Sequence, residues 1–343
     1  MTRVHAVLVA VVLATGLLVV DSVVAQSKYA TDPTPGWNVP RTPDGKPDLQ
    51  GVWGNNSVTP MTRPTQWKDK TVLTDAEVEE LKQLSARYVD QGGDAIFGNF
   101  VQMMLNAKDK GAFAQVSYDP STGNYNQFWM ADREWDNRTS LIIDPPDGQL
   151  PPLTPEAQAR RAASAAKPRA RGPSDGPEDR PLSERCISYG APRTGANYNS
   201  YVQIIQSPAT VVLMQEMIHD ARVVPMTSRP HLPASIRQLH GDPRGRWEGD
   251  TLVVETTNYL NGFQGSTNNV TLTERYTRVG PDFINWQITV DDPATWTRPY
   301  TFMIRLKKTN ALIYEYACHE GNYAMEGILA GARAEEAKAR KKK

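Results

Sequence analysis

The 343-residue chain sets 38 lysines and arginines against 38 aspartates and glutamates, a formal net charge of zero. That balance excludes a long-range field for steering nucleic acid or an anionic membrane surface. With 39% hydrophobic residues, the chain can bury a large core, as one big domain or as one domain with an extension.

The apolar run over residues 6–20 is too short, and too abruptly ended by Asp21, for a membrane span. Val23-Val24-Ala25 then offers a cleavage position ahead of Gln26. This is the layout of a secretory signal peptide over residues 1–25, so the mature protein is expected to be secreted or periplasmic. An uncleaved anchor is the alternative. In an oxidising compartment Cys186 and Cys318 can pair as a disulfide, with two separate buried thiols as the other option.

Residues 26–64 are rich in proline and turn signals, including RTPDGKPDLQGVW, and read as an extended arm pinned by Trp37 and Trp53. Thr74 and Glu77 make a capping box, and Val78, Leu81 and Leu84 follow at helical spacing. Residues 96–107 predict a second helix. TSLIIDPPDG predicts a short strand stopped by two prolines, and Thr154-Pro155-Glu156 caps a third helix. Residues 165–181, AAKPRARGPSDGPEDRP, are a linker by composition.

From residue 199 the pattern changes. SYVQIIQ, ATVVLMQEM, ARVVPM, GRWEG, DTLVVETT, NVTLTERYTRV, DFINWQITVDD, YTFMIRLKK and ALIYEYACH are β-branched or aromatic runs separated by turn signals. Gly249-Asp250 is a good two-residue hairpin turn between two of them. No long helical pattern interrupts the series, which argues against a parallel α/β fold. EGILAGARAEEAKAR closes the chain as a helix.

Charges inside the most strand-like stretch need compensation. MQEMIHDARVV, residues 214–224, carries Glu216, His219, Asp220 and Arg222. A three-residue loop at 218–220 puts Glu216 opposite Arg222, and a straight strand keeps both on one face. Only a two-residue turn at His219-Asp220 separates them. Glu216 is the candidate general base or acid, Arg222 the holder of a carboxylate or oxyanion, and His219 a proton relay. A structural ion pair is the plainer reading of the same residues.

Alternation in NVTLTERYTRV puts Val270, Leu272, Glu274 and Tyr276 on one face, read as inward. Glu274 and Tyr276 join Asp220 as candidate ligand contacts, with a solvated strand end as the alternative for Glu274. His319 and Glu320 follow the last predicted strand, where a barrel mouth is expected, and complete that set. Asp291-Asp292 suits a strand-ending turn better than an acid–base pair. His219, His231, His240 and His319 show no metal-ligand spacing, so neither metal nor cofactor is expected.

RTPDGKPDLQGVW, SLIIDPPDG, GRWEGDTLVVETTNY, TERYTRV and TVDDPATWTRPYT together resemble an uncharacterised family of secreted bacterial proteins, over most of the mature chain. The resemblance implies a Glu and an Arg at the positions of Glu216 and Arg222. It departs at His219, where relatives carry glycines nearby. It implies a coherent fold and no particular reaction.

These readings predict a mainly β protein: an antiparallel, lipocalin-like β-barrel with an N-terminal extended and helical arm and a C-terminal helix. The arm spans residues 26–181 and the barrel with its helix residues 182–343. Such a barrel has room for one small molecule. The function expected is cofactor-free acid–base chemistry (a lyase, isomerase or hydrolase) on a small, partly apolar or sugar-like substrate. A periplasmic carrier of such a ligand is the alternative.

Overall fold

A computed structural model describes residues 27–91, 100–113, 130, 132–166 and 171–341. The expected signal peptide lies outside the described residues, as do positions 96–99 of the second predicted helix and 167–170 of the linker. The chain is mainly β. No helix among the described residues is long and apolar enough to cross a membrane.

Among the described residues, ten strands form one antiparallel sheet: β1 (Gly51–Gly54), β2 (Ile142–Asp144), β3 (Tyr201–Ser207), β4 (Thr210–Gln215), β5 (Ala221–Pro225), β6 (Asp242–Glu248), β7 (Thr251–Thr257), β8 (Thr271–Arg278), β9 (Phe283–Asp291) and β10 (Tyr300–Thr309). The order is β5-β4-β3-β1-β10-β9-β8-β7-β6, with β2 paired on β10. Alternation decides the faces. Leu272, Glu274, Tyr276 and Arg278 of β8 are buried, while Thr271, Thr273, Arg275 and Thr277 are half-exposed. Ile284, Trp286, Ile288 and Val290 of β9 extend the buried face.

The expected antiparallel barrel over residues 182–343 needs three corrections. First, β1, from the arm, lies between β3 and β10 and joins two shorter meanders into one sheet. The compositional boundary near residue 182 is therefore not a boundary of the sheet. Second, residues 311–319 form no strand, although ALIYEYACH has strand composition. Third, the sheet does not close into a barrel: β5 and β6 are its two edges. They meet at one isolated parallel bridge, Met226 to Gly245. The sheet nevertheless curls strongly, because Arg222 on edge strand β5 touches Glu274 on β8, near the opposite end of the order.

Gly245 permits that approach. A Cβ there would lie 2.5 Å from Met226 Sδ and 2.9 Å from Val224 Cγ1. Gly245→Ala is therefore expected to cost about 1–3 kcal/mol as the methyl wedges the edges apart. Denaturant unfolding measures it, and an unchanged midpoint would show that the edges are free to separate.

Helix α1 (Asp75–Asp90) starts at the capping box of Thr74 and Glu77 and buries Val78, Leu81 and Leu84. With α2 (Phe100–Lys110) it packs a second apolar cluster around Tyr88, Phe100 and Met104, distinct from the sheet's core. Helix α3 (Pro155–Ala166) begins at Thr154, whose hydroxyl accepts the Ala157 amide. Helix α4 (Tyr323–Lys341) buries no residue and is tied back through Arg333 to the carbonyls of Ser174 and Asp175. A disulfide joins Cys186 to Cys318.

Candidate functional site

Inside the curl, the Glu274 carboxylate receives four donors. Arg222 Nη1 and Nη2 donate at 2.5 and 2.8 Å, the Tyr276 hydroxyl at 2.8 Å and Trp286 Nε1 at 3.2 Å. Tyr276 stacks on Trp286 with ring centroids 5.4 Å apart. The Arg222 and Glu274 side chains are 2% and 0% exposed, so solvent does not reach the pair. Burial opposes the charge on Arg222, and the Glu274 carboxylate more than restores it, so its pKa is raised. Burial and the same carboxylate push Tyr276 far up. The adjoining cavity holds only about 20 Å³, room for about one water.

Arg222 is therefore not the partner of Glu216. The predicted pairing fails because a 3₁₀ turn, Met217–His219, takes Glu216 out of the β4–β5 ladder, whose last pair is Met214 with Ala221. Ile218 and His219 both adopt left-handed backbone, at φ 57° and 54°, an outlier for a β-branched residue. Buried Glu216 accepts the Tyr314 amide at Oε1 (3.3 Å), and its Oε2 has no hydrogen-bond partner among the described residues. Exposed His219 accepts the Tyr316 amide at Nε2 (3.1 Å).

Asp220 is held elsewhere. Its Oδ2 accepts the Ser188 hydroxyl (2.8 Å) and the Tyr189 amide (3.1 Å), and Oδ1 lies 3.3 Å from His240 Nε2. Ser188 Oγ is also 3.0 Å from His240 Nε2. A Ser, a His and an Asp thus meet, but the carboxylate shares the nitrogen that faces the serine. A nucleophile relay needs the carboxylate on the other ring nitrogen. The cluster pins the 188–190 loop to the start of β5. His319 and Glu320 are exposed beyond the disulfide and do not join these groups. Asp292 caps its turn by accepting the Thr267 and Ala294 amides.

The larger concavity lies at one end of the sheet, where the chain leaves β1 and enters β3. It encloses about 600 Å³ between residues 55–61 and the 189–198 loop, with Leu141 and Met217 closing it. A second cavity of about 340 Å³ lies across the same loop, against Leu239, Tyr259 and Phe263. Arg193 lines both, and the small inner cavity as well. Its Nη atoms donate to the carbonyls of Gly195, Tyr198 and Asn199, at 2.9–3.3 Å. No carboxylate among the described residues forms an ion pair with it. Burial holds its pKa below the usual guanidinium value, with Tyr189, Tyr316 and Glu216 opposing that shift through their charge.

Asn55 anchors the loop, donating from Nδ2 to the carbonyls of Thr194 and Gly195, while its backbone carbonyl accepts the Asn197 amide. Neither Arg193 nor Asn55 stood out in the sequence, because both lie in irregular chain without periodicity. The available signal was TGANYNS before β3, where Asn197 and Asn199 take positive φ and shape a loop against a rigid sheet end. Compared with family models, curated proteins and solved structures, the chain has no match.

Proposed function

We propose that the protein is an exported small-molecule binder, a lipocalin-like barrel left open between β5 and β6, whose ligand sits at the mouth rather than in the interior. The observation that carries this reading is Arg193, a half-buried guanidinium with no carboxylate partner among the described residues, lining a cleft of about 600 Å³. A cleft of that size suits a small metabolite. Val58, Pro60, Met61, Leu141 and Met217 supply apolar wall, and Arg193 supplies one fixed positive charge. The ligand is then a small organic anion with an apolar body. No cofactor is invoked.

A second reading, acid–base catalysis, rests on Glu216. It is a buried carboxylate with one open oxygen, next in sequence to cleft residue Met217, and its charge reaches Arg193. A base beside an anion anchor is the arrangement that proton abstraction needs.

Thermal-shift and calorimetric titration with C4–C10 carboxylates, hexanesulfonate and the matching neutral amides tests the binder. Anions are expected to bind and amides not. Arg193→Gln should weaken anion binding by about 100-fold, the weight of a desolvated charge-assisted contact. Amides binding as well as acids, or an Arg193→Gln protein that binds normally, would reject the reading. Turnover that Glu216→Gln abolishes while binding persists would move the assignment to the enzyme.

A further inference from the structure

We infer that residues 310–317 form a pH-gated strap beside the cleft, latched by neutral His219 and released when the imidazole takes up a proton. The segment runs from the end of β10 to Cys318, whose disulfide to Cys186 fixes its far end. Between these points it makes no strand. Side chains of the β4–β5 turn hold its backbone instead: Tyr314 donates to Glu216 Oε1, and Tyr316 donates to His219 Nε2.

The second bond fixes the chemistry. A backbone N–H only donates, so Nε2 of His219 must be the bare, accepting nitrogen and the ring proton sits on Nδ1. Protonation places a second N–H at Nε2, facing the Tyr316 N–H. Two donors then oppose each other and the latch opens. Histidine is the side chain that makes this change in mildly acidic conditions. His219 is exposed, so protons reach it without unfolding.

The charged groups of the surrounding elements decide where the new charge goes. On the turn, Asp220 is committed to Ser188, Tyr189 and His240. On the loop, Arg193 is cationic and repels a second cation. Tyr189, Tyr201, Tyr314 and Tyr316 contribute phenols rather than carboxylates, and Glu315, His319 and Glu320 of the strap and its continuation are exposed. Glu216 remains, one turn from His219 and with Oε2 unpartnered among the described residues. An imidazolium drawn to Glu216 satisfies that oxygen and offsets the carboxylate charge that Arg193 feels. The strained pair Ile218 and His219 sits at this hinge, as backbone strain at switches does. Only the consequence for a ligand rests on the cleft reading above: with Glu216 offset, Arg193 should hold an anion more tightly at low pH.

Hydrogen exchange of the mature, disulfide-bonded protein at pH 5.0 and 7.5, each rate divided by the unstructured-peptide rate, reads the latch. Protection of the Tyr316 amide should fall by about fivefold or more at pH 5.0, the weight of one hydrogen bond, while β8 and β9 amides keep theirs. His219→Gln keeps an acceptor that gains no proton and should remove the pH dependence. His219→Ala should lower the protection of the Tyr316 amide at both values. Equal wild-type protection at the two pH values, or an unchanged pH response in a folded His219→Gln protein, would overturn the strap. Hexanesulfonate, anionic throughout, should bind a few-fold more tightly at pH 5.0. A strap that opens with no change in its affinity would break the link to the cleft and leave the latch standing.

Discussion

Glu274→Leu lowers stability by about 3–5 kcal/mol and the thermal midpoint by roughly 5–15 °C. The substitution keeps the volume and removes the acceptor that four buried donors share. Arg222 is left charged with almost no solvent access, which is where the energy goes. Arg222→Met in the same chain should return most of the loss, because two apolar side chains of similar size need no compensation. A double-mutant cycle measured by denaturant unfolding isolates the coupling. High salt should leave it unchanged, since the pair is out of reach of screening ions. A double variant as unstable as Glu274→Leu would mean that the carboxylate acts through Tyr276 and Trp286 rather than through the arginine.

Opening the disulfide is the other large effect. The bond spans a sequence separation of 132, and in the chain-entropy model a loop of that length is worth about 5 kcal/mol. Cys186→Ala with Cys318→Ala should therefore unfold at a midpoint roughly 10 °C or more below the wild type. The loss acts mainly through the unfolded chain, so the sheet of the variant should keep its order. Labelling the unreduced, denatured protein with a thiol reagent should find no free thiol, and two labelled cysteines would refute the pairing.

The strands of the C-terminal half were legible because each carries its own signal. Threonines and Arg275 on one face of β8 against Leu272, Glu274 and Tyr276 on the other need no knowledge of neighbours. The Gly249-Asp250 turn between β6 and β7, and the Thr74 cap of α1, are equally local. What escaped depends on distant chain. Gly51-Val52-Trp53-Gly54 is too short to alternate, and its place comes from β3 and β10. Residues 311–319 have strand composition but no partner strand, so their amides turn to Glu216 and His219. The partner of Arg222 was misjudged for the same reason. Glu274 was read as a ligand contact and not as a partner for Arg222, and a left-handed Ile218, which is not readable from local preference, removes Glu216 from the ladder.

The position of β1 bears on how the chain reaches this state. Val52 pairs with Gln203 and with Thr309, contacts that span 203 − 52 = 151 and 309 − 52 = 257 residues. The hairpins β3–β5 and β6–β10 can form from near neighbours as soon as they are made, yet each keeps a raw edge until β1 arrives. Closing loops of that length costs only slowly rising entropy, but it delays the rewarding contacts. Joining the halves is thus expected to be the slow step, with two open-edged hairpin sets waiting for one four-residue segment. During that interval the exposed edges of β3 and β10 are where another chain could pair in its place.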